Sequence, residues 1–196
     1  MWFPERGLHV SWSFWLLILL AAIVSPLTIV LSILLAAALH ECGHLLALRA
    51  FHVPIEGLRL SAFGAVLHAR GAQRLSYGRE LVVTLAGCGM NLVCGVLTAW
   101  FSLHYVWVEG FVFAGAHILL CAFNLLPIPP LDGSRIFGYF LPDKWMYTME
   151  RYSQYITLII MALLLTGVLD IPLSFLRNLI MRFLCLIFGL RGIVII

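Results

Sequence analysis

The sequence predicts an all-α polytopic membrane protein. About six transmembrane helices are expected, with a short membrane-surface β-hairpin between the second and third. Three observations carry that expectation. Of the 196 residues, 63% are apolar and only 11% charged, with a mean hydropathy of +1.05; a soluble domain carries about 25% charged residues. The apolar residues gather into long runs separated by proline, glycine or charge. The basic residues collect in every other connection between those runs, on one side of the expected membrane. One domain, residues 1–196, is expected, with its outer surface against the lipid bilayer. The net charge of +3 reflects topology, so no nucleic-acid partner is expected.

The first span covers residues 11–25, and Leu8, His9 and Val10 are available to bring it to bilayer length. Trp2, Trp12 and Trp15 suit an aromatic belt at its start. No cleavable signal peptide is expected, because the stretch before this run is short and mixed. Pro26 breaks the run and folds it into a tight hairpin with the second span, residues 27–48, which Arg49 closes at the interface. Residues 50–80 are the least hydrophobic stretch. Leu58-Arg59-Leu60-Ser61 alternates, and Gly57, Gly64 and Gly71 punctuate it, which reads as short strands at the membrane surface. A plain loop is the alternative.

The third span, residues 81–103, carries Gly87, Gly89 and Gly95 as a small-residue face for close helix packing. The fourth covers residues 106–126. The three prolines of Pro127-Ile128-Pro129-Pro130-Leu131-Asp132-Gly133 exclude helix there. Residues 134–153 read as an amphipathic surface helix and 155–169 as a fifth span. The chain then turns at 170–172, and a sixth span or interfacial helix follows. With alternating spans, one side receives Arg6, the five arginines from Arg49 to Arg79, Arg135, Lys144, Arg151 and Arg191. The opposite loops have no Lys or Arg, so the N-terminus and the basic side are expected in the cytoplasm of a multi-pass cell-membrane protein.

The chemistry concentrates in Leu39-His40-Glu41-Cys42-Gly43-His44-Leu45, near the end of the second span. On a helix, His40 and His44 lie one turn apart on one face and can hold one metal ion. Glu41 is placed to take a proton from a metal-bound water. Ionisable groups inside a bilayer-length apolar run are costly unless they are paired or metal-bound, so they mark a functional site. Five cysteines form no C-x-x-C pair and read as small core residues.

A catalytic zinc usually takes three protein ligands and leaves one position open. Asp132, on the same expected side as the motif, is one candidate; its Leu-Asp-Gly context also suits a turn. His117, midway along the fourth span, is another, although packing against another helix explains it as well. His9, His52, His68 and His104 lie near interfaces and need no metal. Asn91 and Asn124 can serve as helix–helix hydrogen bonds or as donors to substrate or an oxyanion.

These residues resemble the site-2 proteases, membrane-embedded zinc metalloproteases that cut substrates within or near the bilayer. Three motifs occur in order: His40-Glu41-Cys42-Gly43-His44, Ala86-Gly87-Cys88-Gly89-Met90-Asn91, and Asn124-Leu125-Leu126-Pro127 through Asp132-Gly133. The resemblance covers roughly residues 8–140. It implies that His40, His44 and Asp132 bind Zn2+, that Glu41 is the general base, and that Asn91 lies near substrate; Asn124, which opens the third motif, is the second candidate substrate-binding residue. Cys88 stands where the family usually has proline. Leu8-His9-Val10 and Phe63-Gly64, without a PDZ insertion, look like the stage IV sporulation protein FB type, which releases a transcription factor from a membrane-bound precursor. That type commonly carries a nucleotide-sensing CBS domain with no counterpart in this sequence, so regulation by that route is not expected. The implied partner is a membrane-associated protein substrate. The competing reading is a membrane metal transporter, or a metal-binding scaffold, using the same His and Asp groups.

Overall fold

Ser25-Pro26 separates two apolar runs, and the first hairpin of the fold forms there. The computed structural model describes residues 7–61, 64–70, 75–138, 140–153, 155–156, 158–159 and 175. Strand β1 (Gly7–Val10) leads into helices α1 (Trp12–Val24) and α2 (Leu27–Ala50). Pro26 sits at the N-cap of α2, where its missing N–H costs nothing. The chain then forms β2 (Ile55–Ser61) and β3 (Gly64–Ala69), followed by α3 (Tyr77–Tyr105) and α4 (Val108–Asn124). Two short helices, α5 (Asp132–Gly138) and α6 (Asp143–Arg151), come after the proline-rich segment.

The expected hairpin is present, and it is part of a larger sheet. β2 and β3 pair antiparallel, with Leu58 opposite Leu67 and Leu60 opposite Ala65. β1 adds in parallel on the other side of β2, with Leu8 opposite Leu58. Leu8, His9 and Val10 therefore do not lengthen the first span. Ser11 explains the change, since its N–H and its Oγ both bond Leu60 O, each at 2.9 Å, and end the helix before it reaches them. Parallel pairing across one helical hairpin also returns β2 to the side from which β1 left.

α2 and α3 are the two described helices long and apolar enough to cross a membrane. Only 33% and 28% of their apolar windows are buried, whereas the core helix of a soluble protein hides most of its surface. α1 buries none of its residues, and Trp12, Leu19, Ile23, Leu31 and Leu97 are more than half exposed. Lipid is the solvent that such surfaces fit. At 13 residues, α1 is only about 20 Å long, less than the ~30 Å hydrocarbon core. α4 begins later than expected, because Val106 is left-handed (φ 52°) and Trp107 caps the helix. The surface helix expected over 134–153 is instead split at Gly138 and Pro142 into α5 and α6, and α5 starts earlier, at Asp132. The fifth and sixth spans expected after residue 155 fall almost wholly outside the described residues.

α2, α3 and α4 pack on one another through small residues, with Ala36, Ala99, Ala114, Cys121 and Ala122 buried between them. Two glycines set the closest approaches. A Cβ on Gly43 would strike Ala86 O where α2 meets α3. A Cβ on Gly95 would lie 3.1 Å from Ile118 Cγ1 and 3.3 Å from His117 Cβ where α3 meets α4. Ser32, Thr98 and Ser102 each return a hydroxyl bond to the carbonyl four residues back, which satisfies them within their own helices.

Candidate metal centre

The helical spacing of the motif puts His40 and His44 on the face of α2 turned to α3. Their Nε2 atoms lie 3.1 Å apart, with the rings nearly perpendicular. They fit there because α3 presents Gly87, whose Cβ, if it had one, would stand 2.5 Å from His44 Nε2 and 2.8 Å from His40 Cε1. His44 Nδ1 donates to Val83 O at 2.7 Å. A carbonyl only accepts, so the Nδ1 proton is fixed and Nε2 keeps its lone pair for a metal.

Asp132 arrives from the far end of the sequence. After α4, tight turns (Leu126 N–H to Phe123 O, Leu131 N–H to Ile128 O) fold the proline-rich segment back toward α2. Gly133 permits the return, since a Cβ there would strike Leu125 O and Leu126 O. Asp132 Oδ2 then lies 2.9 Å from His40 Nε2 and 3.0 Å from His44 Nε2. Burial opposes ionisation of this carboxyl, but its bonds to His40 and His44 outweigh burial and hold it below the usual carboxylate range.

The donor set fits a divalent metal. With Nδ1 bonded to Val83 O, His44 turns Nε2 toward the Asp132 carboxylate and His40 Nε2. Three such donor atoms in contact are held together by protons on the imidazoles or, equally well, by one cation shared among them. The separations of 2.9–3.1 Å are close to the roughly 3.3 Å between donors around tetrahedral zinc. Two nitrogens and one oxygen also leave a fourth position open, as catalytic zinc requires. His40 is buried, while the His44 and Asp132 side chains are 12% and 20% exposed, so water can reach the centre. Glu41 is half-buried, and its carboxylate interacts electrostatically with His44, His40 and Asp132.

The structure brings together His40, His44 and Asp132, with Glu41 beside them, and among the described residues this is the one group of three or more ligand types within metal-binding distance. His117 is not in that group. It is fully buried on α4 and bonds Asn91 of α3, Nδ1 to Oδ1 at 3.0 Å, as the helix-packing reading expected. Asn91 is also fully buried, with Nδ2 3.2 Å from His40 Nδ1. Asn124 is half-buried and donates to Leu120 O in its own helix. The contact of Asn91 with a ligand ring was missed from sequence; the available signal was two polar side chains, Asn91 and His117, in neighbouring apolar helices.

No family model matches the chain. Its fold is that of the Site-2 Protease from Methanocaldococcus jannaschii, with a TM-score of 0.63 over 92% of this chain and 90% of that one, at 21% identity. In sequence it is similar to the zinc metalloprotease MJ0392 of the same organism, 27% identical over 150 residues, covering 71% of this chain and 43% of that protein. It is also similar to YwhC of Bacillus subtilis, a proposed zinc metalloprotease, 28% identical over 89 residues, covering 45% of this chain and 38% of that protein. The chain thus spans less than half the length of these two relatives.

Proposed function

We propose that this chain is an intramembrane zinc metalloprotease that hydrolyses peptide bonds of membrane-associated proteins. The observation that carries the reading is the convergence of His40 Nε2, His44 Nε2 and Asp132 Oδ2, within 3.1 Å of one another, at the end of an apolar helix. The similarity to proteins named zinc metalloproteases supports it.

His40, His44 and Asp132 hold the metal. When bound, zinc supplies a Lewis acid that acidifies water and polarises a carbonyl. Glu41 accepts a proton from the attacking water on its carboxylate and delivers it to the leaving amine. Val83 O keeps His44 in the ligating tautomer throughout. A helical amide is closed to attack, so the substrate must be extended at the cut. Among the described residues β3 is an edge strand of the sheet, and such an edge offers backbone pairing to an extended segment.

The protein crosses the membrane several times, with its N-terminus and the centre's opening toward the cytoplasm. The one-sided placement of Lys and Arg supports this, as does the pairing of β1 with β2 on one side of the first hairpin. Of the two asparagines expected near substrate, the half-buried Asn124 is the one proposed to lie there, and the fully buried Asn91 stands behind His40. The finer assignment, a stage IV sporulation protein FB-like protease acting on a membrane-tethered transcription factor precursor, rests on Leu8-His9-Val10 and Phe63-Gly64.

Purified protein in vesicles with a membrane-anchored substrate tests the reading. Cleavage is expected to stop when zinc is chelated and to return when zinc is restored. Cleavage that persists in chelator would contradict it.

A further inference from the structure

Resting on the zinc-site reading above, we infer that Asn91 and His117 are positioning residues for the metal centre, a buried hydrogen-bonded strut that sets His40 for ligation. The strut runs from α4 through α3 to α2. His117 Nδ1 lies 3.0 Å from Asn91 Oδ1, and Asn91 Nδ2 lies 3.2 Å from His40 Nδ1. All three side chains are buried, with Asn91 and His117 at 0% exposure. Gly95 lets α3 come close to α4 beside His117, where a Cβ would stand a tight 3.3 Å from His117 Cβ. The Phe113 ring meets the His117 ring edge-on at 4.4 Å and holds its plane. Neither polar residue is explained by packing alone. His117 Nε2 is buried with no hydrogen-bond partner among the described residues, so the one bond this costly histidine makes is the one to Asn91.

The two ligand histidines are supported in different ways. His44 faces a backbone carbonyl, so its Nε2 is always the free nitrogen. His40 faces a side-chain amide, whose oxygen and nitrogen exchange places on a half-turn. With the amide oxygen toward His117 and its nitrogen toward His40, the neutral tautomers that fit have His117 Nδ1–H donating to Asn91 Oδ1, Asn91 Nδ2–H donating to His40 Nδ1, and His40 Nε2–H donating to Asp132 Oδ2 at 2.9 Å. That direction closes the centre on itself. A ligating Nε2 requires the proton on His40 Nδ1, so with metal bound Asn91 presents Oδ1 to His40 and Nδ2 to His117 Nδ1. Histidine suits the end of the strut because its Nδ1 can donate or accept. The exchange leaves each histidine neutral with one proton, which shifts from Nε2 to Nδ1 on His40 and from Nδ1 to Nε2 on His117.

The test is the zinc dissociation constant, by competition with a chromophoric chelator, together with the visible absorption of the Co2+-substituted protein, which reports ligand geometry. Asn91→Leu, of similar size but unable to hydrogen-bond, is expected to bind zinc about 10–100-fold more weakly and to alter the Co2+ bands. Asn91→Asp still accepts from His40 Nδ1 and is expected to stay within a few-fold of wild type. His117→Phe keeps the ring but frees the amide, and is expected to weaken zinc by roughly 10-fold. Wild-type zinc affinity in a folded Asn91→Leu protein would overturn the inference, and so would an Asn91→Asp protein as weak as Asn91→Leu. If Asn91→Leu does not fold, unchanged affinity in His117→Phe overturns it. Complete loss of zinc in His117→Phe would make that residue a ligand and also overturn it. A wild-type protein that holds no zinc removes the underlying site reading, whereas tight zinc in wild type and Asn91→Leu alike removes this inference alone.

Discussion

Glu41→Gln is expected to retain zinc and lose hydrolysis by roughly 10²–10⁴-fold, the range for removing a general base. The amide has nearly the shape of the carboxylate, so α2 keeps its packing and His40 and His44 keep their places. What disappears is a group able to take a proton beside the metal. Glu41 is suited to that task because it is half-buried, directly follows His40, and interacts with His44, His40 and Asp132 without belonging to the ligand group. The measurement is turnover of a membrane-anchored substrate alongside zinc content. Full activity in Glu41→Gln would remove this residue from the mechanism.

Gly87→Ala is expected to be nearly as damaging, although it adds one methyl and removes no functional group. The new carbon would stand 2.5 Å from His44 Nε2, 2.6 Å from His44 Cε1 and 2.8 Å from His40 Cε1, well inside normal contact. The helices cannot part easily, because Gly43 is closely packed against Ala86 and Gly87 on the same interface. The imidazoles must move instead, and a ligand displaced by an ångström costs about 10²-fold in activity. Zinc affinity should fall with it, by roughly 10–100-fold. Gly89→Ala is the control on the same helix, since its Cβ would meet nothing within 4 Å. It is expected to behave as wild type in zinc binding and turnover. Equal behaviour of the two variants would show that the approach of α3 to the ligands does not matter.

The centre was largely legible because its chemistry is local. His40, Glu41 and His44 fall within five residues of one helix, and helical spacing alone places both imidazoles on one face. From its own residues Asp132 was a candidate by side of the membrane alone, and the family resemblance of its motif singled it out, because the turns that return it to α2 depend on Gly133 packing against Leu125 and Leu126. Span boundaries were less legible. Leu8, His9 and Val10 could extend the helix that follows, and a strand forms there because β2, fifty residues later in register, offers them a partner. Pairing over such a separation leaves no periodic trace in a four-residue stretch. Asn91 and His117 were visible as polar intrusions into apolar helices, but their meeting depends on how closely α3 and α4 approach at Gly95.

Zinc content per chain, compared across wild type, Glu41→Gln and Asp132→Ala, tests the central claim most directly. A three-ligand centre predicts about one tightly held zinc in wild type and in Glu41→Gln, and its loss in Asp132→Ala. Zinc held equally by Asp132→Ala, or no zinc retained by wild type, would contradict it.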